Sequence, residues 1–259
     1  MKNLISYFLS FFGIYLSQLI NKKKLNNFLK KLQPYQTNYP LIRFGNNNDG
    51  GYLIPDDLKD LNFCFSCGVG QDISFEKGLL SKKIKSYFAD GTVDSLPMNH
   101  KNFKFIKKNI SHISTSKDFS INEFIKNKIK GEDYILKLDI EGHEYKTIID
   151  LEKKYLKEAR IIVIEFHFMH RILRNCYYDF LEYCFDKILD SHLIVHVHPN
   201  NDAETKVYKR TKIFSVLEIT FLRKDRILSK KKTVNYTHPL DCQTNPNKKE
   251  LFIPDGYFN

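Results

Sequence analysis

Short apolar runs alternate with longer stretches of helical apolar spacing over most of the chain. The apolar runs are rich in Phe, Ile and Val and predict strands, and the spaced stretches predict amphipathic helices. The predicted strands are 62–66, 85–89, 103–106, 134–140, 161–168, 193–198 and 216–222. The predicted helices are one that begins after Asp72, and 120–128, 144–155 and 171–189. Such an alternation predicts an α/β fold with a doubly wound, mostly parallel sheet and helices on both faces.

Two features flank this alternation. The last two predicted strands follow each other with no long helix between them, so we expect a closing hairpin and an antiparallel last strand. Before the alternation, the apolar segments 41–44 and 52–54 flank the turn-forming sequence GNNNDGG, which predicts a hairpin.

The first 40 residues differ in composition from the rest of the chain. Residues 4–20 are uncharged, but this run is shorter than the roughly 20 apolar residues of a spanning helix and includes Ser, Gln and Gly. It has no small-residue cleavage site. We favour a helix packed on the domain or on a partner chain, and a helix on the membrane surface and a spanning helix stay open as alternatives. Residues 21–40 are rich in Lys and Asn and are interpreted as a connector. The predicted division is therefore 1–40 and a domain over 41–259.

The net charge suggests one further hypothesis, and the distribution of the charged residues weakens it. The chain has 41 Lys and Arg against 30 Asp and Glu, a formal charge of +11, which suggests an anionic partner. The lysines are spread among Asn and Ile, so nucleic acid is not favoured, and peripheral membrane contact through residues 1–31 stays open. Five cysteines without disulfide-framework spacing favour a reducing, cytoplasmic location. The oligomeric state stays open.

The strongest local pattern is a strand, a glycine loop and a helix start, CFSCGVGQDISFE. Gly68 and Gly70 let the backbone approach a ligand, and Asp90, 20 residues beyond Gly70, can accept the hydroxyls of a ribose. The third glycine of the dinucleotide fingerprint is absent. Asp72 and Glu76 would repel a pyrophosphate. A cationic adenosine cofactor therefore fits better, and S-adenosylmethionine is one.

A second pattern is the charged strand LKLDIEGH. Lys137, Asp139 and Glu141 alternate along it and therefore share one face, and the two carboxylates fall at its carboxyl end, where open α/β sheets bind ligands. A plain structural Lys–carboxylate pair is the alternative interpretation.

A third pattern is a set of histidines near two predicted strand ends. Glu165 and His167 share a face of one strand, His170 follows them, and His196 and His198 share a face of another. A general base or substrate-binding histidines are favoured here. A divalent metal bound by these histidines with Asp139 and Glu141 is possible but not favoured.

An ordered set of motifs resembles one known family. The motifs are RFGNNNDGGYLIP, FSCGVGQDISFE, FADGTVDSLP, LKLDIEGHEY, IEFH and HPLDCQTNP. From about residue 41 to 246 the chain resembles the FkbM-type methyltransferases. The resemblance implies a Rossmann-like S-adenosylmethionine enzyme with a seven-stranded sheet whose last strand is antiparallel, and O-methylation of sugar or polyketide hydroxyls. It also implies that Gly68 and Gly70 form the cofactor loop, Asp90 binds ribose, and Asp139 and Glu141 are the acidic motif. Where the family often has a small residue, this chain has His143.

The candidate site residues combine these patterns with the resemblance. They are Asp139, Glu141, His167 and Lys137 for catalysis; Ser66, Gly68, Gly70, Asp72, Glu76, Asp90 and Asp139 for the cofactor; and Arg43, Asp49, Tyr52, His143 and His198 for the substrate. We expect His167 or Asp139 to act as the base, with Glu141 and Lys137 orienting the site.

The function expected from this set is O-methyl transfer to a hydroxyl of a sugar or glycan-like acceptor. One alternative is a nucleic-acid methyltransferase, although LDIEG stands where base-modifying enzymes of this fold often have an Asn/Asp-Pro-Pro-Tyr/Phe element. The other is a non-catalytic, membrane-associated binding module of the same fold.

Overall fold

A computed structural model describes residues 2–14, 17–126 and 128–258, and the side chains from residue 4 onward within these ranges. The helices are α1 (Lys2–Ser10), α2 (Lys22–Lys31), α3 (Ser74–Leu80), α4 (Ile121–Ile125), α5 (Glu144–Asp150), α6 (Lys153–Glu158) and α7 (Asn175–Ser191). The strands are β1 (Tyr35–Thr37), β2 (Leu41–Phe44), β3 (Tyr52–Pro55), β4 (Phe63–Cys67), β5 (Lys85–Ala89), β6 (Phe103–Ile106), β7 (Asn109–Ser111), β8 (Asp118–Ser120), β9 (Tyr134–Leu138), β10 (Ala159–Phe166), β11 (His192–Pro199), β12 (Thr205–Tyr208), β13 (Thr211–Phe214), β14 (Leu217–Arg223) and β15 (Lys230–Lys232). Two short 3-10 helices cover Met169–Leu173 and Lys224–Arg226.

Seven strands form one sheet in the order β11-β14-β10-β9-β4-β5-β6. The neighbours from β10 to β6 run parallel, and β14 lies antiparallel between β10 and β11. The sheet confirms the expected α/β fold and the antiparallel last strand. The carboxyl ends of β4, β5, β9, β10 and β11 therefore meet at one edge, together with the first residues of β14.

Alternate residues of the central strands face two different cores. Phe65, Leu136 and Ile162 point into the larger core with residues of α2, α4, α5 and α7. Their neighbours Cys64, Ile135 and Ile161 point into a smaller core with α3 and the β2–β3 hairpin. These strands read as nearly continuous apolar runs because both faces of the sheet are covered. The prediction of helices on both faces is confirmed, and the hairpin adds to the cover of the second face.

Two of the predicted helices end early for reasons visible in their side chains. The segment 144–155 is broken between α5 and α6, where the Glu152 N–H donates to Asn122 Oδ1 at 2.7 Å. Helix α4 ends at Ile125 rather than 128, and Asn127 lies outside the described residues. At its start, the Ser120 side chain makes no capping hydrogen bond, and the Ser114 hydroxyl instead donates to Glu123 and accepts from the Ser120 N–H at 2.9 Å.

The segment predicted as helix 171–189 starts as the 3-10 turn Met169–Leu173, and the α-helix begins only at Asn175. The early hairpin and the strands 85–89 and 103–106 agree with their predicted positions to within one residue.

The first 40 residues differ most from their prediction. Of the helix expected over 4–20, only α1 is helical, and Tyr15 and Leu16 lie outside the described residues. The segment interpreted as a connector contains α2, whose Leu25, Phe28 and Leu29 are buried, with the Phe28 ring 5.2 Å from that of Phe185 on α7. The apolar spacing of α2 is helical, and its lysines masked that signal. Among the described residues, no helix combines the length and apolarity needed to cross a bilayer.

Candidate active site

A cavity of about 490 Å³ opens at the carboxyl ends of β4, β5 and β9. Its volume is in the range of small-molecule and cofactor sites. The sequence-predicted residues that line it are Asp49, Gly68, Gly70, Asp72, Asp90, Lys137, Asp139, Glu141 and His143. The predicted residues Ser66, Glu76, Arg43, Tyr52, His167 and His198 are not part of its lining.

The glycine loop after β4 forms the floor of the cavity. Gly68 has φ +76° and lies directly on the neighbouring strand, since a Cβ there would be 1.6 Å from the carbonyl oxygen of Asp139. Gly70, with φ +52°, faces open space, and no heavy atom lies within 4 Å of a Cβ built on it. The first glycine therefore closes the packing between β4 and β9, and the second leaves room for a ligand.

Asp90, at the end of β5, holds this loop from the other side. Its Oδ2 accepts from the N–H groups of Val69 and Gly70 at 2.8 and 2.9 Å, and its Oδ1 accepts from the N–H and the hydroxyl of Thr92 at 2.7 and 2.6 Å. Burial alone would raise the pKa of Asp90, but these hydrogen bonds lower it. The carboxylate is thus kept ionised and ordered beside the open loop.

The β2–β3 hairpin covers the cavity at the start of α3. Asp72 joins the two, because its Oδ1 accepts from the Ser74 N–H at 2.7 Å and its Oδ2 accepts from the Asn46 side-chain amide at 2.5 Å. Arg43 donates to the carbonyl oxygens of Asn46 and Asn48, at 2.8 and 3.2 Å. The guanidinium that was expected to contact substrate instead braces the turn of its own hairpin.

Lys137, near the end of β9, lines the cavity, and acceptor groups on its buried side hold its ammonium group. Its Nζ lies 3.7 Å from Glu76 Oε1, which also accepts from the Ser66 hydroxyl at 2.5 Å, and 3.4 Å from the carbonyl oxygen of Gly68. Ser66 and Glu76, expected against the cofactor, are fully buried and lie outside the lining of the cavity. They hold the ammonium group instead, which is the structural pairing that the sequence left open.

Asp139 follows β9 at the cavity wall. The Tyr52 hydroxyl, which reaches it from β3, donates to Asp139 Oδ2 at 3.0 Å. Burial and the charge of Asp139 raise the pKa of Tyr52 well above its ordinary value, so the phenol stays a hydrogen-bond donor. Desolvation and the charge of Asp139 also raise the pKa of Asp49 across the cavity.

His167 lies just beyond β10 and is held by a carboxylate that the sequence reasoning missed. Its Nδ1 is 3.1 Å from Glu144 Oε1 and 3.1 Å from the carbonyl oxygen of Glu165. Both partners are acceptors, so Nδ1 carries the proton and the neutral ring presents the lone pair of Nε2. Glu144 is itself fixed, since its Oε1 accepts from the N–H groups of Ile140 and Gly142 at 3.0 Å each.

The pKa of His167 follows from this setting. Burial would lower it, but the hydrogen bond to Glu144 and the charges of Glu144, Asp139 and Glu141 raise it above its ordinary value. Nε2 lies 3.4 Å from Glu141 Oε2, and Glu141 is 84% exposed. Glu144 therefore orients the imidazole on its buried side, and Nε2 faces Glu141 on the other.

The turns that carry these groups have unusual backbone conformations. Glu141 has φ +54° and Phe168 has φ +58°, a left-handed region that few residues other than glycine adopt. Gly142, between them in space, has no room for a side chain because a Cβ there would be 2.4 Å from the Phe168 ring. Such backbone strain clusters at functional sites, and here it places Glu141 opposite His167.

Asp139, Glu141 and His167 can each offer one ligand atom within 4.8 Å of the others. Of the histidines considered from the sequence, only His167 joins the two carboxylates in such a group among the described residues. His170 lies in the 3-10 helix after β10, where burial lowers its pKa.

The other half of the carboxyl edge is closed. Glu165 is buried and accepts from the Asn200 side-chain amide at 2.6 Å, and it pairs in register with Glu218 on β14. His198 pairs in register with Glu218 on the other side and lies 3.7 Å from the Asp241 carboxylate, which also receives His196 at 2.8 Å. His198, expected to contact substrate, is instead buried among carboxylates.

A sequence model of the methyltransferase FkbM domain family matches residues 36–186. No curated protein gives a significant sequence match. An FkbM methyltransferase from Methylobacillus flagellatus KT is 12% identical with a TM-score of 0.36, and the match covers 62% of this chain and 44% of that one.

Two further solved structures are similar at the same level. A putative DNA modification methyltransferase encoded within an E. coli prophage is 13% identical with a TM-score of 0.41, over 70% of this chain and 52% of that one. A putative RNA methyltransferase from Pyrococcus horikoshii is 13% identical with a TM-score of 0.33, over 78% of this chain and 99% of that one. The chain thus spans about half the length of the first two structures.

The family model includes the hairpin, the glycine loop, Asp90, the β9 acidic turn, Glu144 and His167 within one continuous match. These are also the segments that meet at the open part of the carboxyl edge. The chain belongs to the methyltransferase FkbM domain family.

Proposed function

We propose that this chain is an S-adenosylmethionine-dependent O-methyltransferase that acts on a hydroxyl group of a sugar or glycan-like acceptor. Family membership supports methyl transfer. The single observation that favours an alcohol oxygen as acceptor is the Glu144–His167 pair, because an alcohol must lose its proton as it attacks and His167 Nε2 is presented to accept one.

The residues of the cavity fit the cofactor. The open space beside Gly70 and the carboxylates Asp72, Asp90 and Asp139 suit an adenosine that carries a cationic group. Asp90 would hold ribose hydroxyls in exchange for its bond to the Thr92 hydroxyl, and the acidic wall would favour the positive charge. When bound, S-adenosylmethionine supplies a methyl group on a sulfonium, which is electrophilic without further activation.

The protein's own residues then have to orient the acceptor and take its proton. Tyr52 fixes one oxygen of Asp139, which leaves the carboxylate able to accept from an acceptor hydroxyl at the cavity wall. His167 Nε2 accepts the proton, and Glu144 on the opposite ring nitrogen stabilises the imidazolium that results. Positioning of this kind supplies a large part of the rate of a bimolecular transfer.

The polar rim supports an acceptor with several hydroxyls. Asp49, Thr92, Asn109, Asp118 and His143 line the same cavity, and each side chain can donate to or accept from a hydroxyl group. His143 supplies an additional donor or acceptor at this rim. A glycan-like acceptor is therefore a better match than an apolar one.

A divalent cation on Asp139, Glu141 and His167 would occupy the Nε2 lone pair and exclude the role as base. Turnover after treatment with EDTA separates the two roles. We expect EDTA to leave turnover unchanged. A loss of turnover that Mg²⁺ or Mn²⁺ restores would assign His167 as a metal ligand and contradict its role as base.

The experiment that tests the proposal first measures S-adenosylmethionine binding by calorimetry and then methyl transfer. Methyl-labelled cofactor is offered with nucleotide sugars, oligosaccharides, transfer RNA and duplex DNA. We expect label in the carbohydrate fractions that resists mild alkali, as an ether does and a carboxylate ester does not. His167→Gln should bind the cofactor normally and lose about 100-fold in turnover, and His112→Gln is the matched control.

Three results would contradict the proposal in different ways. If calorimetry detects no heat of S-adenosylmethionine binding, a non-catalytic binding module is favoured. Label confined to RNA or DNA would favour a nucleic-acid methyltransferase. Full turnover of both His167→Gln and Asp139→Asn would leave methyl transfer in place and remove these residues from it.

A further inference from the structure

Helix α1 and the turn that follows it expose a set of large apolar side chains that the rest of the described fold does not cover. This set, called the N-terminal apolar patch below, consists of Leu4, Ile5, Tyr7, Phe8, Phe11, Phe12 and Ile14. Leu4 is 77% exposed, Phe11 72% and Phe12 66%. A contiguous exposed patch of this kind marks a surface that is covered by a partner or a membrane in use.

The patch is attached to the domain by a short anchored segment. The Ile20 N–H donates to the Leu173 carbonyl oxygen at 2.8 Å, and the Asn175 N–H donates to the Gln18 carbonyl oxygen at 2.9 Å. Ile20 is completely buried, and its carbonyl oxygen accepts from the Tyr208 hydroxyl at 2.6 Å. The segment that follows the patch in the sequence is therefore fixed on the domain surface at Gln18 and Ile20.

Positive charge is concentrated in the part of the sequence that contains and follows the patch. The first acidic residue of the chain is Asp49, and the 48 residues before it hold six lysines and Arg43, so they contribute +7 of the net +11. Lys22 and Lys23 are exposed at the start of α2, directly after the anchored segment, and form no ion pair with any residue that the structure describes. An apolar surface followed in the chain by exposed, unpaired lysines is complementary to an anionic lipid surface.

The length of α1 decides how such a surface would be engaged. Nine residues at 1.5 Å per residue give a helix of about 14 Å, whereas the hydrocarbon core is about 30 Å thick. The helix is long enough to place its aromatic rings among the head groups and acyl ends and too short to cross. A second copy of the chain is a poorer occupant, because its own lysines would repel these.

We propose that the N-terminal apolar patch, with Lys22 and Lys23, docks this protein peripherally on anionic lipid membranes. Phe11 and Phe12 insert at the interface, and the lysines contact lipid phosphates. The proposal is independent of the reaction at the active site.

Flotation of the full chain with lipid vesicles tests the proposal. Vesicles of phosphatidylcholine alone are compared with vesicles that also contain phosphatidylglycerol, at low and high salt. We expect binding to the anionic vesicles that is at least tenfold tighter than to the neutral ones and that weakens with salt. Phe11→Ser with Phe12→Ser should lose binding by more than tenfold, and Lys22→Gln with Lys23→Gln should lose the preference for anionic lipid.

Matched variants carry the same changes elsewhere on the surface. Val207→Ser with Leu228→Ser removes exposed apolar side chains, and Lys82→Gln with Lys85→Gln removes exposed charges. Both should bind vesicles as the unaltered chain does. Equal vesicle binding by the Phe11/Phe12 variant would overturn the proposal. A lack of vesicle binding by the unaltered chain would also overturn the proposal. If gel filtration then shows a dimer that the Phe11/Phe12 variant abolishes, a second copy of the chain covers the patch instead.

Discussion

The carboxyl edge of the sheet has an open half and a sealed half that contain similar side chains. At the ends of β4, β5 and β9, Asp90, Lys137 and Asp139 line a cavity. At the ends of β10 and β11 and the start of β14, Glu165, His198 and Glu218 are packed against one another and against the C-terminal segment. The first half is a candidate reaction site, and the second is a buried polar layer.

The difference lies in what covers each half. Over the sealed half, Asp241 from the C-terminal segment receives His196, and the Thr244 hydroxyl lies 3.5 Å from Glu218. Over the open half, the glycine loop packs closely against the end of β9 at Gly68 and leaves open space beside Gly70. The neighbouring turn also has a left-handed residue, Glu141. Charged residues at a strand end are therefore not enough to identify a site, and the segments that return over the edge decide which of them meet a ligand.

The largest expected effect comes from filling the closest approach in the open half. Gly68→Ala places a Cβ 1.6 Å from the Asp139 carbonyl oxygen at a positive φ, so β4 and β9 must separate. We expect a loss of about 3 kcal/mol or more in the free energy of unfolding, measured by urea denaturation. S-adenosylmethionine binding should be lost with it.

Gly70→Ala is the matched change two residues away. It meets no atom within 4 Å and carries only the strain of its positive φ, about 1 kcal/mol. Equal destabilisation by the two variants would show that the loop is not pressed onto β9, and the description of the open half would fail.

The next effect tests the boundary between the halves, where Glu144 orients His167. Glu144→Gln keeps a similar shape and removes the charge that raises the pKa of His167. A base must be neutral, so activity rises as pH increases through this pKa, and the variant should shift that rise to lower pH. Turnover at its plateau should fall about 100-fold, as measured by a pH–rate profile.

The control for this change is Glu152→Gln, an exposed carboxylate paired with Lys154. It should leave both the profile and the plateau unchanged. A uniform loss of rate in Glu144→Gln, with the pH at which activity rises unaltered, would assign Glu144 a purely structural role.

The sheet could be predicted because the signals for its strands lie within short segments of the sequence. Apolar runs, the glycine loop and the absence of a helix between β11 and β14 predict strand type and the antiparallel last strand. Residues 21–40 were misinterpreted because five lysines in a short segment hid the apolar spacing of α2, and burial against α7 is a tertiary effect.

The site was predictable in part for the same reason. Asp90 and Asp139 follow strands, and position alone places them at the edge. Glu76 also follows the loop, yet it is buried under Lys137, because the side of α3 that faces the sheet depends on packing. Glu144 was missed because its role comes from the turn that brings it to His167, although a second glutamate three residues after Glu141 was a visible signal.

The smallest expected effect tests the sealed half through its pH dependence. Burial raises the pKa of Glu218 to about 7, with Asp139 and Asp241 adding to the rise and His198 and Arg43 opposing it. The folded state therefore holds a proton that the unfolded chain releases near pH 4.5. The resulting stability is complete below pH 4.5 and is lost as pH rises to about 7.

Glu218→Gln removes this dependence, so it should gain on the order of 2 kcal/mol relative to the unaltered chain between pH 5 and pH 8, measured by urea denaturation at each pH. Glu204, an exposed residue directly before β12, is the control. Glu204→Gln should show no such gain in stability over this pH range. If Glu218→Gln follows the pH dependence of the unaltered chain, then water reaches Glu218, and the two halves of the edge differ less in solvent access than their packing indicates.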